Sequence, residues 1–361
     1  MLGEFCRCIG CTTNVLVPNG ICSMIAKKKS VVDTNQQVTN RFRLSVIIIN
    51  YRTSSLTIDC LTSLEGELDP TRDRVFLVDN ASGDDSIDTI SGMIEMHGWS
   101  KWVSLLKADL NRGFSAGNNI GLRAAESNYY LLLNSDTLVR PGAIASLLGA
   151  AEDQPDAGII SPRLEWPDGT AQVSCFRYCS PATELIAAAG TSVVTKLLKP
   201  FDLPLPVSDH PQEMPWTSFA CVLLRKELVE QVGLLDEGYF LYYEDVDYCR
   251  RVRRADWKIL YWPKARVVHL RGQSSSVKVC QSSRKRLPRY YYESRARYFA
   301  KYYGINGLWF TNLAWSLGRA VSLIRELVGH KERHVCEGTA RDIWINCLTP
   351  LASSRGRGHS S

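Results

Sequence analysis

Short apolar runs that stop abruptly in polar residues alternate along this chain with segments whose apolar positions recur at helical spacing. The first run, Leu44-Ser45-Val46-Ile47-Ile48-Ile49, is β-branched over its last four residues and closes at Asn50-Tyr51-Arg52. Apolar positions 56, 60, 61 and 64 then read as a helix. The second run, Val75-Phe76-Leu77-Val78, ends in Asp79-Asn80 and the turn Ala81-Ser82-Gly83-Asp84-Asp85, with a helix expected over 85–97. Strand, helix, strand, helix in this register predicts a right-handed parallel βαβ unit with Asn50 and Asp79 on one rim. A third short strand at Val103 to Leu106 follows, and a stretch rich in small residues, Asn111 to Gly121, runs into a helix predicted over 118–126. Tyr129 to Leu133 is too short for a free-standing helix; it reads as a buried parallel strand that delivers Asn134 and Asp136 to its carboxyl end. Pro141 suits the first turn of a helix over 141–152.

Downstream the pattern loosens. Trp166-Pro167-Asp168-Gly169 makes a tight turn, 181–198 an amphipathic helix, and Pro200 to Pro215 a proline-rich loop placed to shape a ligand entrance. A strand over 216–224, a helix over 226–232 and a turn over 233–238 lead to Tyr239-Phe240-Leu241-Tyr242-Tyr243, an aromatic wall directly ahead of Glu244-Asp245-Val246-Asp247. Helical spacing then holds over 245–255. Acids at its start favour the helix dipole, but three of them beside an aromatic wall exceed what capping requires. Two short strands, 258–261 and 266–270, put His269 near a sheet edge. From about 284, tyrosines and arginines precede Phe310, Leu313, Leu317, Val321, Ile324 and Val328 at helical spacing. That stripe suits docking on a bilayer interface, or packing back on the main domain. The expected organisation is an α/β, Rossmann-like, mostly parallel sheet flanked by helices over 41–275, a helical extension over 276–330, a flexible cysteine-containing leader over 1–40 and a tail over 331–361.

A chain of 361 residues with 45% hydrophobic content can bury a substantial core. The formal charge of +6 is modest and gathered in local clusters, which does not imply nucleic acid. Twelve cysteines look many, yet Cys60, Cys221 and Cys249 sit inside apolar patterns and no secretory leader is evident, so a reducing, cytoplasmic setting is expected. Cys6, Cys8, Cys11 and Cys22 match none of the strong metal-binding spacings. No uncharged apolar stretch of about 20 residues occurs, so any membrane contact would be peripheral.

Side-chain alternation would turn Asn134 and Asp136 to one side, with Ser135 opposed, and oxygen ligands on a strand end suit a hard divalent cation. Asp79 is placed to accept from a nucleoside, or else it caps an Asx turn with Asn80. The 111–121 stretch lets backbone amides approach an anion at a helix N-terminus. It is no Walker loop, because no Lys-Ser or Lys-Thr follows the glycines, and the dinucleotide fingerprint's spacing is missing too. A lone histidine such as His269 is a ligand in some settings and a structural residue in others.

Taken in order, Ser45 to Tyr51, Val78 to Ser82, Asn111 to Asn119, Leu133 to Asp136, and Tyr242 to Asp247 with His269 resemble the inverting family 2 glycosyltransferases of the GT-A fold. Within that family the resemblance is closest to the rhamnosyltransferase-like bacterial members that act on cell-surface polysaccharides. It implies that Asn50, Asp79, Asn111, Gly113, Gly117 and Asn118 hold the nucleoside and diphosphate of an activated sugar, joined by Asn134, Ser135 and Trp216. It further implies that Asp136 and His269 hold Mg2+ or Mn2+, and that Asp245, beside Glu244, is the general base of a single inverting displacement. The implied partners are a nucleoside-diphosphate sugar, with dTDP-rhamnose leading, and a glycan or lipid-linked acceptor. The implied setting is the cytoplasmic face of the inner membrane. One departure stands out: the family's Asp-x-Asp is here Asn134-Ser135-Asp136, and an amide brings no charge to a cation. A nucleotidyltransferase would need a glycine-rich loop with Arg and Lys after the first strand, where this chain has Asn50-Tyr51-Arg52-Thr53-Ser54. A catalytically silent sugar-nucleotide scaffold would not need Asp136, Asp245 and His269.

Overall fold

The computed structural model describes residues 41–272, 276–330 and 332–352. The expected leader, its cysteines and the end of the tail lie outside them. The chain begins β1 (Phe42–Asn50), α1 (Ser54–Leu64), β2 (Asp73–Asp79), α2 (Ser86–Met96), β3 (Val103–Lys107), α3 (Phe114–Ala124), β4 (Ser127–Asn134) and β5 (Thr137–Val139). It continues through α4 (Ala143–Asp153), β6 (Ala157–Glu165), β7 (Cys175–Phe176), α5 (Pro181–Ala189), α6 (Ser192–Leu197), β8 (Gln212–Glu213), β9 (Trp216–Thr217) and β10 (Cys221–Arg225). It ends with α7 (Lys226–Val232), α8 (Glu244–Arg254), β11 (Lys258–His269), α9 (Ser276–Ser282), α10 (Arg289–Gly329) and α11 (Thr339–Asp342).

One nine-stranded sheet runs in the order β3-β2-β1-β4-β10-β6-β11-β5, with β8 beside β11. Strands β3, β2, β1 and β4 are mutually parallel, β10 inserts antiparallel between β4 and β6, and β11 runs parallel to β6. The register aligns Asn50 with Asp79 and Ile49 with Asn134, so three polar strand ends share one rim. Both faces are covered. Val46 and Ile48 enter one apolar cluster with α1 and α4, while Ile47 enters the other with α8 and α10. Burial on both sides is why these strands read as unbroken apolar runs, each large side chain contributing about 1.5–3 kcal/mol.

Departures from the expected elements have local causes. Helix α3 starts at Phe114 rather than 118, because Gly113 takes φ 89° and turns the chain into the helix early. The single helix expected over 181–198 is two, divided by Gly190 at φ 55° and capped separately by the Ser180 and Thr191 hydroxyls. Helix α4 begins at Ala143 after Gly142 in the left-handed region, leaving Pro141 outside it. The strand expected over 216–224 is β9 and β10, with β9 pairing into a separate ribbon with β7. Conversely, the two strands expected at 258–261 and 266–270 are one, β11, with an irregular register between Trp262 and Arg266.

The C-terminal helix α10 breaks at Gly304 (φ 72°). Its tyrosines do not face a bilayer: Tyr292 and Tyr298 are buried, and Tyr298, Tyr302 and Tyr303 ring the Arg250 guanidinium together with Tyr178. Arginines 284, 286 and 289 are held in ion pairs with Glu332, Asp342 and Glu293. In the second half of α10, Leu308, Thr311, Asn312, Trp315, Gly318 and Ser322 are buried, and the helix packs on α5, where a Cβ at Gly318 would lie 2.3 Å from the Leu185 carbonyl oxygen. The stripe from Phe310 to Val328 is on the other face: Phe310, Leu313, Leu317 and Ile324 are 61%, 54%, 55% and 63% exposed. Packing back on the domain therefore does not explain it. Among the described residues, no helix is long and apolar enough to cross a membrane.

Candidate active site

The ends of β1 and β2 are tied to each other. Buried Asn50 donates from Nδ2 to Asp79 Oδ1 (2.8 Å), and its Oδ1 accepts from the Thr57 hydroxyl (2.9 Å). Asp79 accepts from the Ser82 hydroxyl (2.6 Å) and amide (3.1 Å), so it closes the turn after β2 as well as marking the rim. The neighbouring Asn80, which the sequence reading did not place among the site residues, donates to Asn111 Oδ1 (3.0 Å) and to the Gly113 carbonyl (3.2 Å). Its own Oδ1 is buried without a partner. Asn111 Oδ1 also accepts from the Gly113 amide (2.9 Å).

Gly113 has a second role. A Cβ there would sit 2.0 Å from the Phe240 carbonyl oxygen, which accepts from the Phe114 amide (2.7 Å). The start of α3 is thereby clamped to the loop that carries the aromatic wall and leads into Asp245. The early start of α3 also changes what two predicted residues do. Gly117 lies within the helix against Ile49, where a Cβ would be 3.0 Å from the Ile49 side chain, and Asn118 donates to the Phe114 carbonyl within the same helix. The close approach at Gly117 is helix to strand. Trp216 is also turned inward, stacked on Phe176 (centroids 4.5 Å apart) with its Nε1 donating to the Arg177 carbonyl.

Strand β4 ends at Asn134, and the chain turns at once through Ser135 and Asp136 into β5. The alternation expected to align Asn134 with Asp136 ends with the strand. Ser135 is buried, its hydroxyl 3.3 Å from that of Thr53. Asp136 is set instead by pairing with β11: Thr137 stands opposite His269, and the Leu270 amide donates to the Asp136 carbonyl (2.8 Å). The result brings His269 Nε2 to 3.5 Å from Asp136 Oδ1. The other ring nitrogen, Nδ1, is buried without a hydrogen-bond partner, so the surrounding network does not commit the imidazole. Two ligands at right angles on a cation with bonds of about 2.1 Å lie about 3 Å apart, close to this spacing. No group of three or more His, Cys, Asp or Glu able to hold a metal occurs among the described residues. A carboxylate and an imidazole suit Mg2+ or Mn2+, which take their remaining oxygens from phosphates and water.

The acids that open α8 divide by environment. Asp247 is fully buried and accepts from Tyr239 (3.2 Å), Tyr302 (3.0 Å) and Arg251 (3.1 Å), with Lys301 at 2.6 Å. It fastens α8 to α10. Glu244 is buried with Oε2 unpartnered, and burial together with the adjacent Asp245 pushes it well above the usual carboxylate range. Burial also raises Asp245 to about 7, against the opposing pull of the Val246 amide and, more weakly, Lys278 in α9. Both residues before the helix, Tyr242 and Tyr243, hold φ 70°, a conformation that costs non-glycine residues energy and that gathers at functional sites. A carboxyl group poised near neutrality can take a proton from a hydroxyl at physiological pH.

Polar strand ends and a carboxylate–imidazole pair on one curled, largely parallel sheet, with a perturbed acid in the first turn of α8, define the GT-A class of glycosyltransferases. Two solved structures of that class share the fold. They are the mannosyltransferase PcManGT of Pyrobaculum calidifontis in complex with GDP-Man and Mn2+ (TM-score 0.51, 16% identity, 81% of this chain and 77% of that one) and GalNAc-T7 with UDP, GalNAc and Mn2+ (TM-score 0.52, 14% identity, 80% and 58%). The chain belongs to the glycosyltransferase like family 2, whose family model matches residues 41–287. It is 32% identical over 193 residues to the N-acetylglucosaminyl-diphospho-decaprenol L-rhamnosyltransferase of Mycobacterium tuberculosis, covering 48% of this chain and 60% of that protein. It is 26% identical over 223 residues to the low-salt glycan biosynthesis hexosyltransferase of Haloferax volcanii, covering 60% and 63%. The chain thus spans less than two thirds of the length of these relatives.

Proposed function

We propose that this chain is an inverting, divalent-metal-dependent glycosyltransferase that moves a sugar from a nucleoside-diphosphate donor to a hydroxyl of a glycan or lipid-linked acceptor. The observation that carries the reading is buried Asp136 with partly exposed His269 3.5 Å from it, beside the polar rim of the sheet. Asp136 and His269 would hold Mg2+ or Mn2+, which supplies positive charge to the departing diphosphate. Asn50, Asp79, Asn80 and Asn111 form the polar frame at which the nucleoside is read. Asp245 takes the acceptor hydroxyl proton as that oxygen attacks the anomeric carbon, the bond from that carbon to the diphosphate oxygen breaks on the opposite face, and the configuration inverts. Burial raises Glu244 well above the usual carboxylate range and Asp245 to about 7, so Asp245 is the acid of the two that the reading takes as the base.

The named activity of the Mycobacterium tuberculosis relative makes a nucleotide-activated rhamnose the first donor to test, dTDP-rhamnose by the family resemblance, and a sugar on a lipid diphosphate the first acceptor. A lipid acceptor gives the exposed stripe of α10 a purpose, namely holding the enzyme at the cytoplasmic membrane face. Gly190, whose carbonyl accepts from Arg325, leads into α6, where Val193 and Leu197 are also exposed beside Lys196 and Lys199. Apolar side chains rimmed by lysines suit the headgroup layer of anionic lipid.

Thermal unfolding with a panel of nucleotide-sugars, with and without Mn2+, tests the donor reading. A ligand at about 100 times its Kd stabilises the native state by about 2.7 kcal/mol. The expected result is a Mn2+-dependent rise in Tm with one donor, lost in Asp136→Ala. No shift with any donor would sink the proposal.

A further inference from the structure

A charged cavity lies apart from the Asp136–His269 pair. It has a volume of about 390 Å3 and is lined by Arg140, Pro141, Pro167, Asp168, Gly169, Lys264 and Arg266. Behind two of its arginines lies Glu165, fully buried at the end of β6. Arg140 donates from Nε to one oxygen of that carboxylate (2.9 Å) and Arg266 from Nε to the other (2.8 Å), while Arg163 Nε lies 4.0 Å away. One buried carboxylate balances one of these charges. Asp168, the acid in the lining, accepts from the Thr170 amide (2.8 Å) in its own turn. Counting Lys264, which lies over the Trp262 ring, the cations Arg140, Lys264 and Arg266 exceed the acids Asp168 and Glu165 by one, so the cavity wall keeps one net positive charge.

The arrangement of donors matters as much as the charge. Binding Glu165 through Nε leaves the outer nitrogens of both guanidiniums for another acceptor; Arg140 uses one of its own on the Pro167 carbonyl (2.9 Å). A guanidinium carries five N–H donors in a planar fork that matches phosphate oxygens, so several remain here. Their carriers are half-open to solvent, with side-chain exposures of 40% for Arg140 and 51% for Arg266. Gly169, at φ 85°, folds the covering turn so closely that a Cβ there would lie 3.3 Å from Arg266 Nη2.

The cavity is connected to the proposed reaction centre by a rigid element. Thr137 pairs with His269 at one end of the antiparallel β5–β11 ladder, and the Arg140 amide donates to the Arg266 carbonyl (3.2 Å) at the other. Three residues of strand separate the ends, about 10 Å. That spacing sets an anion in this cavity apart from a donor diphosphate at Asp136 and His269.

We infer that this cavity binds the phosphate or diphosphate group of the acceptor. The acceptor assignment rests on the glycosyltransferase reading above; the anion site itself does not. Two variants address it: Lys264→Glu, at an exposed position outside any ion pair seen among the described residues, and Arg266→Gln, which leaves Arg140 on Glu165. Inorganic pyrophosphate titrated calorimetrically into the full chain in EDTA should bind the wild type and Asp136→Ala alike and should lose at least tenfold in affinity to both cavity variants. In transfer assays, both variants should raise KM at least tenfold for a sugar on a lipid diphosphate, leaving donor KM and the KM for the same sugar as an alkyl glycoside unchanged. Absence of pyrophosphate binding, or binding indifferent to both variants, overturns the site. Pyrophosphate binding lost in the variants with an unchanged KM for the lipid diphosphate overturns the acceptor assignment and leaves a site for free phosphate. An enzyme that transfers to no acceptor refutes the functional reading, while the calorimetry still decides the site.

Discussion

Replacing Asp245 by Asn should abolish transfer and stabilise the protein, and the size of the gain follows from the burial of the carboxyl group. An ordinary aspartate ionises near 3.9, and burial raises Asp245 to about 7. A difference of about three units at 1.36 kcal/mol each means that holding the ionised form in place costs the fold up to about 4 kcal/mol above pH 7. The native state keeps a proton that the unfolded chain has already released, so wild-type stability falls as pH rises from about 4 to about 7. The Asn side chain has no charge to hold there. At pH 8.5 the variant should be the more stable protein, its urea midpoint higher by on the order of 1 M, and near pH 4 the two curves should converge. Turnover should fall by at least about a hundredfold, the contribution expected of a general base, with donor affinity retained. Wild-type turnover should rise with pH and reach half its plateau near 7. A variant that is less stable than wild type at pH 8.5, or that turns over at the wild-type rate, would refute the reasoning.

Substituting either Asp136 or His269 by Ala would take away one of the two proposed protein ligands, a loss above the ~1.4 kcal/mol that makes a tenfold change; the Mn2+ concentration for half-maximal activity should rise at least tenfold, and an unchanged titration curve would make the residue structural. Gly113→Ala combines an extended backbone at positive φ, about 1–3 kcal/mol, with a Cβ that would overlap the Phe240 carbonyl. It should lower Tm and displace the loop before Asp245, whereas Gly83→Ala, at φ 67° with nothing within 4 Å, should show the conformational cost alone. Glu substituted at Leu317 and Ile324, both exposed, should leave Tm unchanged and stop flotation with anionic liposomes; full flotation of the double variant would rule out the stripe as the membrane dock.

The strands were legible because a sheet covered on both faces writes itself as apolar runs, and the rim followed from where each run stopped at Asn50, Asp79 and Asn134. The pairing of Asp136 with His269 could be named through resemblance, but periodicity could not place it. It depends on β5, three residues long, lying against the last residues of β11, a non-local contact with no local signal. Helix α3 was expected four residues late because one glycine, Gly113, adopts a positive φ that starts it early. The Tyr290–Tyr303 region was ambiguous for a different reason. Tyrosine suits a membrane interface and a cation-lined core equally well, and only the position of Arg250 decides between them. Asp247 looked like its acidic neighbours in sequence, and the ring of Tyr239, Arg251, Lys301 and Tyr302 that makes it structural comes from three separate segments.

Sugar transfer with inversion is tested most directly by proton NMR of the reaction itself. The purified chain would be incubated with Mn2+, the donor that raises its Tm, and a sugar-diphospho-lipid acceptor, and the anomeric coupling or carbon shift of the new linkage would be read against that of the donor. The account predicts a single product of opposite anomeric configuration, formed with stoichiometric release of nucleoside diphosphate and absent with Asp245→Asn. A product that keeps the donor's configuration, or one formed equally well by Asp245→Asn, would contradict it.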